Sequence, residues 1–279
     1  MKIPICALWL AGALLAPAQV LLPEPARDSG SSITGAFEGW FKNPDGSFSL
    51  LLGYYNRNRQ QEVDIPIGPN NALEPGGPDR GQPTHFMPGR GWGLFTVKVP
   101  PDFGENRITW TIVANNKTTV IPAGLKPEWE ISPFVEAAVG NTPPVLSFDE
   151  HGPTVQGPRG LMVERSAKVG QPLALTVWVS DDAKFTSSSG AKPKDLGAPV
   201  TLRWIPYRGP APVSFSNDRP AVQKTSGQAP FNGTATTMAT FTEPGEYVVL
   251  VTANDYSGEG GSGFQCCWTT GQVKVLVQP

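Results

Sequence analysis

The sequence predicts an all-β fold: two β-sandwich domains of immunoglobulin-like type in tandem, behind an N-terminal signal peptide. Three observations carry that prediction. Gly (31) and Pro (30) fill roughly a fifth of the 279 residues, and both favour turns while penalising helix interiors. Apolar side chains recur at every second position in segment after segment, the period of a half-buried strand. No window sustains the 3.6-residue period of an amphipathic helix.

The N-terminus reads as a secretory signal over residues 1–18. Lys2 supplies the positive charge, Ile5 to Leu15 the apolar stretch, and Ala16-Pro17-Ala18 the small-x-small cleavage box. The apolar stretch is shorter than the roughly 20 residues a bilayer span needs, and no later segment is long enough. The expectation is a secreted or periplasmic protein without a membrane span after cleavage. Removing Lys2 moves the formal net charge from −2 to −3. A weakly acidic chain with no basic cluster lacks the footprint of a nucleic-acid binder.

Residues 19–32 read as a flexible leader, and strands begin at Ile33. Phe37–Phe41 and Ser47–Tyr55 form a hairpin through Asn43-Pro44-Asp45-Gly46. Phe48, Leu50, Leu52 and Tyr54 line one face of its second strand. Glu62–Ile67 is an edge strand, because Pro66 cannot donate a ladder hydrogen bond. Leu94–Val99 alternates and stops at Pro100-Pro101. Arg107–Ala114 sets Ile108, Trp110 and Ile112 on one face, then turns through Asn115-Asn116 into Lys117–Ile121. These strands make a first domain over 33–135. Asn141-Thr142-Pro143-Pro144 marks a stiffened linker over 136–158.

The second domain, 159–279, shows strands at Pro172–Val179, Pro199–Ile205, Thr234–Phe241, Glu246–Asn254 and Gln272–Val277. Strands at this spacing, broken by turn signals, are the pattern of a β-sandwich. Phe241-Thr-Glu-Pro-Gly-Glu-Tyr247, running into Val-Val-Leu-Val-Thr-Ala-Asn-Asp255, resembles the penultimate strand of bacterial immunoglobulin-like modules of the polycystic-kidney-disease (PKD) type. Val169-Gly-Gln-Pro-Leu-Ala-Leu-Thr-Val and Val179-Ser-Asp-Asp182 resemble the second strand of such modules and its following loop. The resemblance covers about residues 140–279 and implies a fold rather than a function. It makes Tyr247 a corner tyrosine bonded to nearby backbone. A Gly-rich insert carrying Cys266 and Cys267 departs from the pattern. The first domain resembles no characterised family.

Once Cys6 leaves with the signal, Cys266 and Cys267 are the remaining cysteines. Neighbours on a strand point to opposite faces. Two readings stay open: a vicinal disulfide at a turn, or two thiols with one buried.

Catalytic constellations are absent from the pattern. The two histidines, His85 and His151, fall on opposite sides of the domain junction, and neither a nucleophile elbow nor a phosphate-cradling loop is present. Glu128 with Glu130, and Asp149 with Glu150, read as solvated loop charge rather than a glycosidase dyad. No cofactor is expected; Asp181, Asp182 and Asp255 at strand ends are candidate calcium ligands, with loop acids capping turns as the alternative. The long segment Gly68–Gly91 carries Arg80, His85, Phe86 and Arg90, flanked by Tyr54, Tyr55 and Trp92. Aromatics beside arginines stack on sugars or anchor protein partners; the alternative is a loop covering an open sheet edge. The reading is therefore a non-catalytic exported module for binding, adhesion or scaffolding, with an extracellular glycan or protein as partner. Its alternatives are a structural subunit of a surface assembly and a metal-dependent hydrolase of unrecognised type.

Overall fold

The computed structural model describes residues 27–137, 139–185, 197–226, 230–260 and 266–279. The expected signal peptide and residues 19–26 of the leader lie outside the described residues, as does the Gly-rich stretch 261–263. Every described regular element is a strand apart from one 3-10 turn at Pro127–Trp129, so the chain is all-β. Among the described residues no helix is long and apolar enough to cross a membrane.

The first half holds β1 (Ile33–Lys42), β2 (Phe48–Asn56), β3 (Val63–Asp64), β4 (Asn71–Glu74), β5 (His85–Phe86), β6 (Gly89–Val99), β7 (Arg107–Ala114) and β8 (Lys117–Gly124). They form the sheets β1-β2-β6 and β4-β7-β8, with β3 paired to β5. The hairpin of β1 and β2 runs from Lys42↔Phe48 to Ile33↔Asn56. Asn115 and Asn116 turn β7 into β8 with φ of 50° and 59°, the left-handed pair a two-residue hairpin demands. Leu50, Leu52, Val97, Ile108 and Ile112 are buried between the sheets around Trp110. Phe95 meets that indole edge-on at 5.4 Å. A Cβ on Gly35 would stand 2.7 Å from Trp110 Cε3, so glycine there lets β1 lie against the ring.

The second half holds β9 (Val145–Ser147), β10 (Thr154–Gln156), β11 (Met162–Lys168), β12 (Leu173–Asp181), β13 (Thr201–Arg208), β14 (Val213–Phe215), β15 (Gln223–Ser226), β16 (Phe231–Phe241), β17 (Gly245–Asn254) and β18 (Trp268–Gln278). One sheet runs β10-β9-β12-β16-β14 with β15 also on β16, and the other runs β11-β18-β17-β13. Leu175, Val177, Trp204, Phe241, Val249 and Val275 fill the core between them. Tyr247 is fully buried, and its hydroxyl donates to the Glu243 carbonyl at 2.9 Å, as a corner tyrosine does.

The stretch 136–158 is not a plain linker. Pro143 and Pro144 precede Val145, and β9 and β10 follow, with β9 paired to β12 through Leu146↔Val179. Leu146 is fully buried, so apolar burial holds in the sheet a segment whose prolines alone read as a spacer.

The halves share buried surface. Alternate residues of β17 face opposite ways: Tyr247, Val249 and Val251 enter the second core. Val248 and Leu250, with Ile205 and Tyr207 of β13, join the first. A sheet buried on both faces requires a continuous apolar run, which is why Tyr247 to Leu250 breaks the polar–apolar alternation.

Candidate functional site

The long segment Gly68–Gly91 is a structured clamp. Asn71 is fully buried; its amide donates to the carbonyls of Ile65 and Pro83 at 2.9 and 2.8 Å and accepts Trp110 Nε1 at 3.0 Å. The segment then docks on β13. Tyr207 Oη donates to Gly81 O at 2.6 Å, Thr84 N to Tyr207 O at 3.1 Å, and Arg208 Nε to Gln82 O at 2.8 Å. Arg208 also grips Asp79 with both terminal nitrogens, at 3.1 and 2.8 Å. Arg208 hydrogen bonding holds the Asp79 carboxyl below the usual carboxylate range.

Most residues singled out there from sequence serve this framework. Phe86 is fully buried and meets Tyr54 at 5.0 Å between ring centres. Tyr54 is buried, accepts the Met87 amide at 2.9 Å, and has its hydroxyl pushed well above its ordinary value by burial. Arg80 donates to the carbonyls of Pro75 and Lys98 at 3.0 and 3.2 Å. His85 Nδ1 lies 2.7 Å from Asp64 Oδ1, and its Nε2 lies 3.2 Å from Glu62 Oε2 without hydrogen-bond alignment.

Tyr55, Arg90 and Trp92 are different, because they share the outer face of β2 and β6. Tyr55 pairs with Arg90 across the ladder. The Arg90 guanidinium fills the gap where the register of β2 and β6 slips between Leu52 and Tyr54. It donates to Tyr54 O at 2.7 Å, Gly91 O at 2.9 Å and Glu38 Oε1 at 2.7 Å. A Cβ on Gly53 would fall 2.3 Å from Glu38 Oε1 and 2.2 Å from Gly91 O; glycine makes the pocket for this ion pair. Burial pushes the Glu38 carboxyl up, and Arg90 partly offsets that.

The same guanidinium lies 4.3 Å from the Trp92 ring centre, and Arg57 lies 5.2 Å from that of Tyr55. Gly260 packs against the indole of Trp92. Both Trp92 and Tyr55 remain 42% exposed. The row Arg57, Tyr55, Arg90, Trp92 therefore alternates cation and aromatic along one surface.

The row continues past Trp92. A groove of about 250 Å³ is lined by Phe37, Glu38, Leu51, Arg90, Trp92 and Trp268. Phe37 also lines a second groove of about 360 Å³ with Ile121, Pro122, Trp129, Arg107 and Lys126. Phe37 and Trp129 meet at 5.5 Å, and Trp129 is 45% exposed. Phe37 and Trp129 are absent from the residues singled out by sequence. Trp129 stands alone in a Lys-Pro-Glu-Trp-Glu loop; a lone aromatic among charged residues was the signal available.

Elsewhere, Asp181, Asp182 and Asp255 occupy one end of the second sandwich. Burial pushes the Asp181 carboxyl up to about 7, with the charges of Asp255 and Asp182 adding to it; burial raises Asp255 as well. Among the described residues no three histidine, cysteine or acidic side chains form a group able to hold a metal ion by themselves. Cys266 and Cys267 are joined as a vicinal disulfide and are buried beside Asn141.

No family model matches this chain, and no curated protein does. Solved structures align with it, two of them as follows. One is domains 4 and 5 of the S-layer protein SbsC, 13% identical with a TM-score of 0.22 over 89% of this chain and 98% of that one. The other is a protein of unknown function from Porphyromonas gingivalis W83, 8% identical with a TM-score of 0.25 over 88% and 99%. The class assigned to this chain, an all-β multi-sheet protein, rests on its own strands and sheets.

Proposed function

We propose that this chain is a non-catalytic exported binding module whose ligand, a glycan, lies across the outer face of the first half. The observation that carries the reading is the exposed pair Tyr55 and Trp92 interleaved with Arg57 and Arg90, with exposed Trp129 and Lys126 in a second groove that meets the first at Phe37. Sugar rings present apolar C–H faces to aromatic side chains and hydroxyls to charged ones, and such sites combine apolar walls with a few placed polar groups. Export is supported by the pattern of residues 1–18. The test is a glycan array with cell-wall pull-down. Wild type is retained, and Trp92→Ala and Tyr55→Ala each weaken retention; absence of retention, or retention indifferent to both changes, removes the glycan reading.

One feature favours a second reading, a structural subunit that takes up a strand from a neighbour. β1 and β8 end their respective sheets, and the groove at Trp129 lies between them. Exposed edges accept added strands. Size-exclusion chromatography separates the two: higher-order species growing with concentration support strand exchange, and a monomer throughout removes it.

A further inference from the structure

We propose that a cavity between the two halves, beside Trp92, receives the acetamido group of an N-acetylated amino sugar. This rests on the glycan reading above and narrows it to one class of sugar. The cavity measures about 40 Å³ and lies between Tyr54, Met87 and Leu94 of the first half and Arg203, Thr252 and Asn254 of the second. Arg90, Trp92, Gly260 and Trp268 line both this cavity and the groove of the proposed binding face. A sugar stacked on Trp92 therefore stands at the cavity's mouth.

Strand register places the polar groups together. β13 and β17 pair Arg203 with Thr252 and Ile205 with Leu250, and Ile205 and Leu250 pack into the core of the first half. Side chains two residues apart share a strand face, so Arg203, Thr252 and Asn254 face the first half as well. Asn254 is 2% exposed, yet its Oδ1 has no hydrogen-bond partner, and neither has Arg203 Nε. A buried acceptor and a buried donor, both unmatched, cost their desolvation and call for a partner that donates and accepts. Thr252 adds a hydroxyl to the same lining.

Charge decides against a carboxylate. Arg203 Nη1 meets Glu259 Oε2 at 3.2 Å, and Arg90 Nη2 meets Glu38 Oε1 at 2.7 Å, so each guanidinium lining the cavity already holds an anion. Arg219, which reaches Glu259 Oε1 at 2.8 Å, has its side chain 54% exposed and lies outside the lining. A carboxylate would also leave Asn254 Oδ1 unmatched, since it has no proton to give. An acetamide fits on each count. Its N–H donates to the Asn254 amide oxygen, its carbonyl accepts from Arg203, and its methyl meets Leu94, Ile205 and Trp268. Size agrees: a water-sized group takes roughly 10–15 Å³ of such space, so about 40 Å³ suits the carbonyl carbon, oxygen and methyl of one acetyl group. A hydroxyl alone leaves the apolar wall uncovered.

The experiment is calorimetric titration of the whole chain with three pentasaccharides of one linkage, built from N-acetylglucosamine, glucosamine or glucose. Wild type is expected to bind the acetylated one at least ~tenfold more tightly than the other two, because only it matches the buried polar groups. Thr252→Val and Asn254→Leu, which keep the shape of the wall, are expected to lower that preference toward equality. The wild-type comparison needs no variant to fold. If the glucose pentasaccharide binds as tightly as the acetylated one and Trp92→Ala weakens both, the glycan reading stands and the acetamido pocket is overturned. Tightest binding of the glucosamine pentasaccharide, or an acetyl preference that survives both substitutions, overturns the pocket too. Failure to bind the acetylated pentasaccharide overturns it whatever the array retains, and an empty array removes the glycan reading as well.

Discussion

Replacing Tyr207 with Phe and Arg208 with Ala removes the clamp between the long loop and β13. The Tyr207 hydroxyl is buried and donates to Gly81 O at 2.6 Å; its loss costs about 1 kcal/mol, the usual net worth of a buried hydrogen bond. Arg208 Nε donates to Gln82 O at 2.8 Å, worth about another 1 kcal/mol. Its paired bonds to Asp79 count for less, because the Asp79 side chain is 53% exposed; about 0.5 kcal/mol is a fair share for a solvent-screened pair. Both residues hold one loop, so the effects overlap and the double variant loses about 2 kcal/mol rather than the full sum. Urea denaturation monitored by tryptophan fluorescence reads this as a midpoint lowered by about 1 M or slightly less. Trypsin should also cut faster at Arg80. A midpoint unchanged by the double variant, with unchanged cleavage at Arg80, would refute the clamp.

Other expectations follow from the same geometry. The stability difference between wild type and Arg208→Ala should persist above the ordinary carboxyl value of 3.8 and shrink as pH falls through the lower value Arg208 imposes on Asp79; urea melts across an acid series check it. Gly53→Ala drives a methyl into Gly91 O and the Glu38 carboxylate and should cost about 2–3 kcal/mol by overpacking, seen as a lowered Tm. Tyr247→Phe removes the corner bond to Glu243 O and should cost about 1 kcal/mol in equilibrium unfolding.

Long alternating strands were legible because each needs one buried face. Leu175, Val177 and Val179 announce β12, and Ile108, Trp110 and Ile112 announce β7. What escaped were mainly strands too short to show a period, together with the seven-residue β11. β4, β5, β14 and β15 span two to four residues each, and tertiary pairing rather than local pattern makes them. β11 pairs parallel to β18, Val163↔Val273 to Lys168↔Gln278, a partnership over a hundred residues that no local signal encodes. The site divided similarly. Tyr55 and Trp92 emerged from sequence because they flank an unusual loop, while Trp129 comes to a neighbouring groove only through its packing on Phe37. Arg80, His85 and Phe86 have chemistry suited to binding, but the loop's own pairing turns them to structural use.

Two-dimensional NMR of the indole N–H groups, during titration with an oligosaccharide that the array retains, tests the binding face most directly. The Trp92 and Trp129 resonances are expected to move together and saturate, while those of buried Trp110 and Trp204 stay in place. Movement of the buried indoles alone, or saturation with neither exposed indole affected, would contradict it.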